Sequence, residues 1–363
     1  MSEKKIITVL GPIGPRELGF TSMHEHITFR GDVLARRLRK NIPPNQLPIH
    51  EDDKVCLENV GLLLKNSIMA WDALRQDDED VMVGEVEDYK SCGGNAILEV
   101  SVPGIQLDTA MIGRISQRAG VHVIVSTGFY TWDSWPDEFR DLPVSGYYQH
   151  MLKEIEQGVQ CTDLKPGSLK IAVEDFNQQE ENALRAAAQL CKETQLPLTI
   201  HPCSKAGGNR LQILGLLRRE GVDLTRVVMA HTSVEDRPAS FRELIYHPEL
   251  YRVDIQTALR MLDTGVNICF EFCNPLGFEM TGNYRRGDYG QMAGLWQLID
   301  RGFAGQIVLG NDVCGRTMLR RGGALGYLRL TEFTIPTLQK HGGVSDATIH
   351  RMTVENPARI LAC

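Results

Sequence analysis

Four histidines, a lysine and an aspartate carry the reactive chemistry of this chain. They are His24 and His26 in Met23-His-Glu-His-Ile27, then Lys170, His201, His231 and Asp312. Imidazole nitrogens and carboxylate oxygens are ligands for divalent metals. Side chains two apart on a strand share a face, so His24 and His26 can bind one ion together. His201 and His231 could supply a second ion, and Asp312, in Leu309-Gly-Asn-Asp312, adds an oxygen ligand. Lys170 is the odd member. Its neighbours in Ser168-Leu-Lys-Ile-Ala-Val173 are apolar, and burial disfavours the ammonium form. A neutral amine takes up carbon dioxide as a carbamate, whose two oxygens can bridge two cations. Two metals so bridged would share a water, lower its pKa towards neutrality and polarise a scissile carbonyl or phosphoryl oxygen. Asp312 is then the natural base to orient that water and carry its proton away. The reaction class is metal-assisted hydrolysis. Glu25, between two ligands, must point away from the metals and reads as structural.

These residues need elements that bring them to one place. Each stands at or near the end of a short apolar run. The runs are Thr21–Ile27, Ala96–Val102, Val121–Gly128, Ser168–Val173, Pro197–His201, Val227–His231, Val266–Phe272 and Gln306–Gly310. They are rich in Val and Ile and nearly continuous in apolarity, as parallel strands covered on both faces should be. Between them lie segments of helical spacing. In Glu180–Gln195 the residues Leu184, Ala187, Ala188 and Cys191 share a face; in Arg210–Glu220 it is Leu211, Leu214 and Leu217. Gly120, Gly221, Gly265 and Gly302 stand where those helices would stop. Eight strands alternating with helices predict an α/β fold, a (β/α)8 TIM barrel over residues 1–363, with the site at the C-terminal ends of the strands. A doubly wound open sheet is the competitor, but no GxGxxG opens a first helix. Two stretches exceed a plain barrel. Residues 30–82 carry Arg30, Arg36, Arg37, Arg39 and Lys40, and residues 273–290 carry Arg285 and Arg286. Insertions after barrel strands lie on the catalytic face and shape the substrate pocket.

Composition narrows the partners. A net charge of −7 argues against nucleic acid, which demands a concentrated basic surface; a single Arg320-Arg-Gly-Gly323 does not change that. No apolar run approaches the roughly 20 residues that cross a bilayer. Nine cysteines, odd in number and without a CxxC pair, read as free thiols in a reducing cytosol. Met-Ser-Glu-Lys-Lys without a following apolar stretch predicts no signal peptide. A cytoplasmic protein acting on a small molecule is the expectation.

The chain resembles the phosphotriesterase family of the amidohydrolase superfamily from end to end. Ile7-Thr-Val-Leu-Gly-Pro-Ile13, Leu18-Gly and Met23-His-Glu-His-Ile27 resemble its N-terminal signature. Lys170, in Lys165-Pro-Gly-Ser-Leu-Lys-Ile171, falls where many members carry a carboxylated lysine. His201-Pro, Val228-Met-Ala-His-Thr232 and Asn311-Asp312 match the remaining ligand motifs. Gly322-Gly-Ala-Leu-Gly-Tyr327 and Glu355-Asn-Pro357 resemble the closing segment. The resemblance implies a binuclear site, usually zinc, with His24, His26 and Asp312 on one ion, His201 and His231 on the other, and carboxylated Lys170 bridging them. Manganese, cobalt or nickel would also suit these ligands. A homodimer follows from family habit.

Two departures steer the substrate. The carboxylates of His231-Thr-Ser-Val-Glu-Asp236 lie further from the histidine than in organophosphate-degrading members, and Phe270-Glu-Phe-Cys-Asn-Pro-Leu-Gly277 differs from their seventh-strand loop. A lactone or carboxylic ester, small and anionic, is therefore expected ahead of a phosphotriester. An amidase of small N-acyl compounds is the alternative, and a barrel kept as a binding module the non-enzymatic rival. Tyr130, in Gly128-Phe-Tyr-Thr-Trp132, matches a position where relatives set an aromatic against substrate. Lys205 and Arg210, flanking Gly207-Gly208, together with Arg285 and Arg286, are the candidate anion contacts. Cys203, Cys273 and Cys314, near strand ends, are expected to line the site as neutral thiols.

Overall fold

Runs that are apolar at consecutive positions cannot leave either face in water, so they pair side by side beneath a layer of helices. The computed structural model describes residues 4–39, 48–105, 108–203, 208–232, 234, 241–247, 253–272 and 287–363. Eight strands form one sheet: β1 Thr21–Glu25, β2 Ala96–Glu99, β3 His122–Phe129, β4 Ser168–Val173, β5 Leu198–Pro202, β6 Val227–Met229, β7 Asn267–Glu271 and β8 Ile307–Gly310. Each pairs in parallel with its neighbour in sequence. Helices lie between them: α1 Glu79–Ser91, α2 Thr109–Ala119, α3 Val144–Gln157, α4 Gln178–Thr194, α5 Arg210–Arg219, α6 Gln256–Leu262 and α7 Asp288–Asp300. The architecture is a (β/α)8 barrel.

Backbone contacts at the strand ends bring β8 against β1. The Asp312 N–H donates to the His24 carbonyl at 2.9 Å. The Asn311 N–H and side-chain amide both reach Glu25 Oε1, at 2.9 and 2.7 Å, and the Val313 N–H reaches Glu25 Oε2 at 3.1 Å. Gly310 permits this approach, since a Cβ there would stand 2.9 Å from the His24 backbone N and O. Glu25 is thus the residue that stitches the ends of β1 and β8 together.

Period-two alternation decides what enters the lumen. Leu169, Ile171 and Val173 of β4 pack with Ala183, Leu184 and Ala187 of α4 in the outer core. Lys170 lies between them in sequence and points the other way. The same rule sends Ile268, Phe270 and Phe272 outward and leaves Cys269 and Glu271 inside. The inner core below the site contains Met23, Leu98, Ile124, Val228, Cys269 and Val308, closed by Ile6, Leu18, Ile360 and Leu361.

Helix ends follow local chemistry. The Asn177 side chain caps α4 by accepting from the Glu180 N–H at 2.9 Å, and Asp108 caps α2 through the Met111 N–H at 2.9 Å; each cap stabilises its helix by about 1 kcal/mol. Gly120 ends α2 at φ +64°, a left-handed exit that suits a residue without Cβ.

The insertion anticipated over 30–82 ends earlier, because α1 already begins at Glu79. Phe29–Arg30 pairs antiparallel with Arg75–Gln76 to form its neck. Asp72 ties the excursion down, accepting from Lys54 Nζ at 2.9 Å and the Val55 N–H at 3.0 Å, with Arg316 Nε at 3.3 Å. Of the loop anticipated at 273–290, residues 273–286 lie outside the described residues, and α7 begins at Asp288. No described helix is long and apolar enough to cross a membrane.

Candidate metal centre

β1 delivers the first pair. A register shift against β2 falls between Ser22 and Glu25, where a bulge re-aims side chains. His24 and His26 both turn towards Asp312, whose Oδ1 lies 3.6 Å from His24 Nε2 and 3.2 Å from His26 Nε2. Asp312 follows β8 at φ +54°, an uncommon conformation outside glycine. His231 shows the same feature at φ +51°. β6 ends at Met229 rather than at His231, because the chain must leave the strand to swing this imidazole inward.

Hydrogen bonds outside the cluster set the tautomers. Ser101 Oγ gives its proton to the Thr28 carbonyl at 2.9 Å, so it accepts from His26 Nδ1 at 2.7 Å. His24 Nδ1 lies 2.8 Å from Glu271 Oε1 and donates to it when Glu271 is ionised, the state that a nearby cation favours. Both Nε2 lone pairs therefore face Asp312. Burial, then Lys170 and His231, hold His24 well below the usual imidazole range, and neutral imidazole is the ligand form.

The second pair meets at close range. His201 Nδ1 and His231 Nε2 are 2.8 Å apart, the approach of two nitrogens that share a proton or a cation. His231 Nδ1 lies 3.8 Å from Asp312 Oδ2, and the His24 and His231 rings are 4.9 Å apart. Donor atoms of His24, His231 and Asp312 lie within 4.8 Å of one another.

Lys170 stands in the same lumen, 1% exposed. Its Nζ has no hydrogen-bond partner among the described residues. Burial brings its pKa down to about 8, against the pull of Asp312 and Glu271 in the other direction. A buried amine without an acceptor is costly, and a bound group would remove that cost. Orphaned amine, two fixed tautomers and facing imidazoles together fit divalent metal ions.

Glu271 is the residue that sequence reasoning passed over. Besides His24 it accepts from the His231 N–H at 2.9 Å. Burial raises its pKa to about 8, and the Asp312 charge pushes the same way. Its signal was the one that marked Lys170: a charged residue alternating with outward apolar ones, here Phe270-Glu-Phe272.

The anticipated substrate contacts separate. Tyr130 stands edge-on to His201, ring centroids 5.3 Å apart, within an apolar group of Phe29, Val33, Ile105 and Cys314. Arg210 is buried. Its guanidinium donates to the His231 carbonyl at 2.7 Å and to the Cys203 carbonyl at 3.3 Å, bracing the site from behind. Lys205, Arg285 and Arg286 lie outside the described residues. In the insertion Arg39 stacks on Trp71 at 4.2 Å and donates to Glu51 and the Ile68 carbonyl.

The whole chain has relatives. It matches the Phosphotriesterase family over residues 4–361. A phosphotriesterase-related protein of Nematostella vectensis is 26% identical over 96% of both chains. The N-acetyltaurine hydrolase of Homo sapiens is 25% identical over 98% of this chain and 97% of its own. Among solved structures, a resiniferatoxin-binding protein from Rhodobacter sphaeroides superposes with TM-score 0.82 at 26% identity, over 98% of this chain and 94% of that one. A lactonase from Listeria monocytogenes shares the fold at TM-score 0.72 and 19% identity, over 98% of each chain. A match spanning nearly every residue, over a barrel with this histidine–lysine–aspartate lumen, places the chain in the phosphotriesterase family of hydrolases.

Proposed function

We propose that this hydrolase uses two divalent ions, zinc by preference, to cleave a small anionic lactone or carboxylic ester. The observation that carries the reading is Lys170, a buried amine without a hydrogen-bond partner among the described residues, in a lumen shared with four imidazoles and a carboxylate. As a carbamate it would bridge the two ions, with His24, His26 and Asp312 on one and His201 and His231 on the other. When bound, the ions supply an acidified water and polarise the scissile carbonyl. Asp312 does the proton work: Oδ1 faces the β1 histidines, and Oδ2 can take the proton of an attacking water. Tyr130 and the apolar group behind it would face the acyl side of the substrate. Lys205, Arg285 and Arg286 are the candidates for its anionic end.

An N-acyl amide is the second reading, favoured by relatives named N-acetyltaurine hydrolase that align over 97% of their length. The two readings differ in leaving group, since an amine must be protonated as it departs and an alkoxide much less so. Elemental analysis should find about two divalent ions per chain, and chelation should abolish hydrolysis. Full activity after removal of both ions would overturn the proposal. Matched lactones, esters and N-acyl acids, compared by kcat/KM, then rank the two substrates.

A further inference from the structure

Glu271 touches both halves of the centre. Its Oε1 holds His24 Nδ1 at 2.8 Å and its Oε2 holds the His231 N–H at 2.9 Å. His24 stands with His26 and Asp312 on one side. His231 stands with His201 on the other. The Glu271 side chain is 4% exposed, and besides these two partners it meets the Cys269 thiol. His231 adds a constraint of its own at φ +51°, a backbone state that surrounding contacts must enforce. The Glu271 bond to its N–H and the Arg210 bond to its carbonyl both hold that backbone.

We propose that Glu271 is a positioning residue that couples the two metal positions, so that filling one orders the ligands of the other. The inference rests on the two-metal reading above. An ion drawn to His24 Nε2 strengthens the Nδ1–H bond to Oε1, as partners behind ligating histidines do. That fixes the plane of the carboxylate and, through Oε2, the backbone of His231. The coupling is reciprocal, because linkage between binding sites always is.

Glutamine is a diagnostic replacement. It offers one carbonyl oxygen and one NH2 group. Turned one way, the NH2 meets the His231 N–H, donor against donor. Turned the other way, it faces His24 Nδ1 and drives that ring's proton to Nε2, where the lone pair is needed. Either orientation serves one half of the centre and fails the other. Aspartate keeps both oxygens on a stem one carbon shorter.

The test is calorimetric titration of the metal-free full chain with Co2+, followed also by the visible spectrum of the bound ion. The unaltered chain should take two ions in one unresolved step. In Glu271→Gln the steps should separate, the weaker falling roughly 10–100-fold in affinity, and Glu271→Asp should lie between. Circular dichroism of the metal-free forms verifies folding, and Glu271→Asp carries the test if Glu271→Gln fails to fold. Two ions bound by the variant in one step at unaltered affinity would overturn the coupling. Equal weakening of both without separation would overturn it too. If the unaltered chain bound no ion, the two-metal reading itself would fall, and the coupling with it.

Discussion

An amine buried in a barrel is under pressure to lose its proton, and Lys170 is such an amine, with no acceptor among the described residues. With burial bringing its pKa down to about 8, roughly half of it is neutral at pH 8, against under about 1% for an ordinary lysine. Only the free amine reacts with carbon dioxide, so carbamate formation must rise with pH through that value. In metal-free protein at constant dissolved carbon dioxide, the 13C carbamate signal should grow between pH 7 and 9 and be missing from Lys170→Met. A signal independent of pH, or one retained in Lys170→Met, would rule this out. Lys170→Ala should lose hydrolysis by roughly 100-fold or more, with partial return when bicarbonate or a short-chain acid supplies the bridge. Lys170 was legible in the sequence because a lone charge inside an apolar strand has one face to go to. Glu271 obeyed the same rule inside the expected strand Val266–Phe272, but was passed over because the segment was weighed as part of a substrate loop.

At the scale of elements, the contact between β8 and β1 is what assembles the centre, and Gly310 leaves no room in it for a side chain. A methyl there would press on the His24 backbone. Gly310→Ala should cost about 1–3 kcal/mol, the usual penalty for overpacking. It should also lower metal content, since it shifts His24 against Asp312. Thermal unfolding and elemental analysis read the two effects, and an unchanged variant on both counts would show that the contact is slack. The strands themselves were readable, because Val- and Ile-rich runs have few alternatives; Ser168–Val173 appears with its expected limits. Strand ends were less so. His231 was expected within β6 and instead lies past its end, because the position of its ring, not its β propensity, decides its backbone.

For the whole molecule, the excursion between β1 and α1 acts through its attachment. Asp72 fastens residues 54–55 and meets Arg316 in the segment after Asp312. Asp72→Ala leaves the Val55 N–H without its acceptor and the Arg316 guanidinium without its ion-pair partner, for about 1–3 kcal/mol. Hydrogen exchange should quicken over residues 48–76, and KM should rise more than kcat falls, because the ligands stay in place while a wall of the pocket loosens. Unchanged exchange in that segment would refute the latch. By itself the sequence determined the succession of strands and helices, the barrel they make and the six side chains that can reach its lumen. All of these depend on local periodicity and residue type. Only the tertiary structure decided that Glu25 stitches β1 to β8, that Arg210 donates to the Cys203 and His231 carbonyls, and that Glu271 joins His24 to His231. Those contacts link residues far apart in the chain, and only closure of the barrel sets the distance between them.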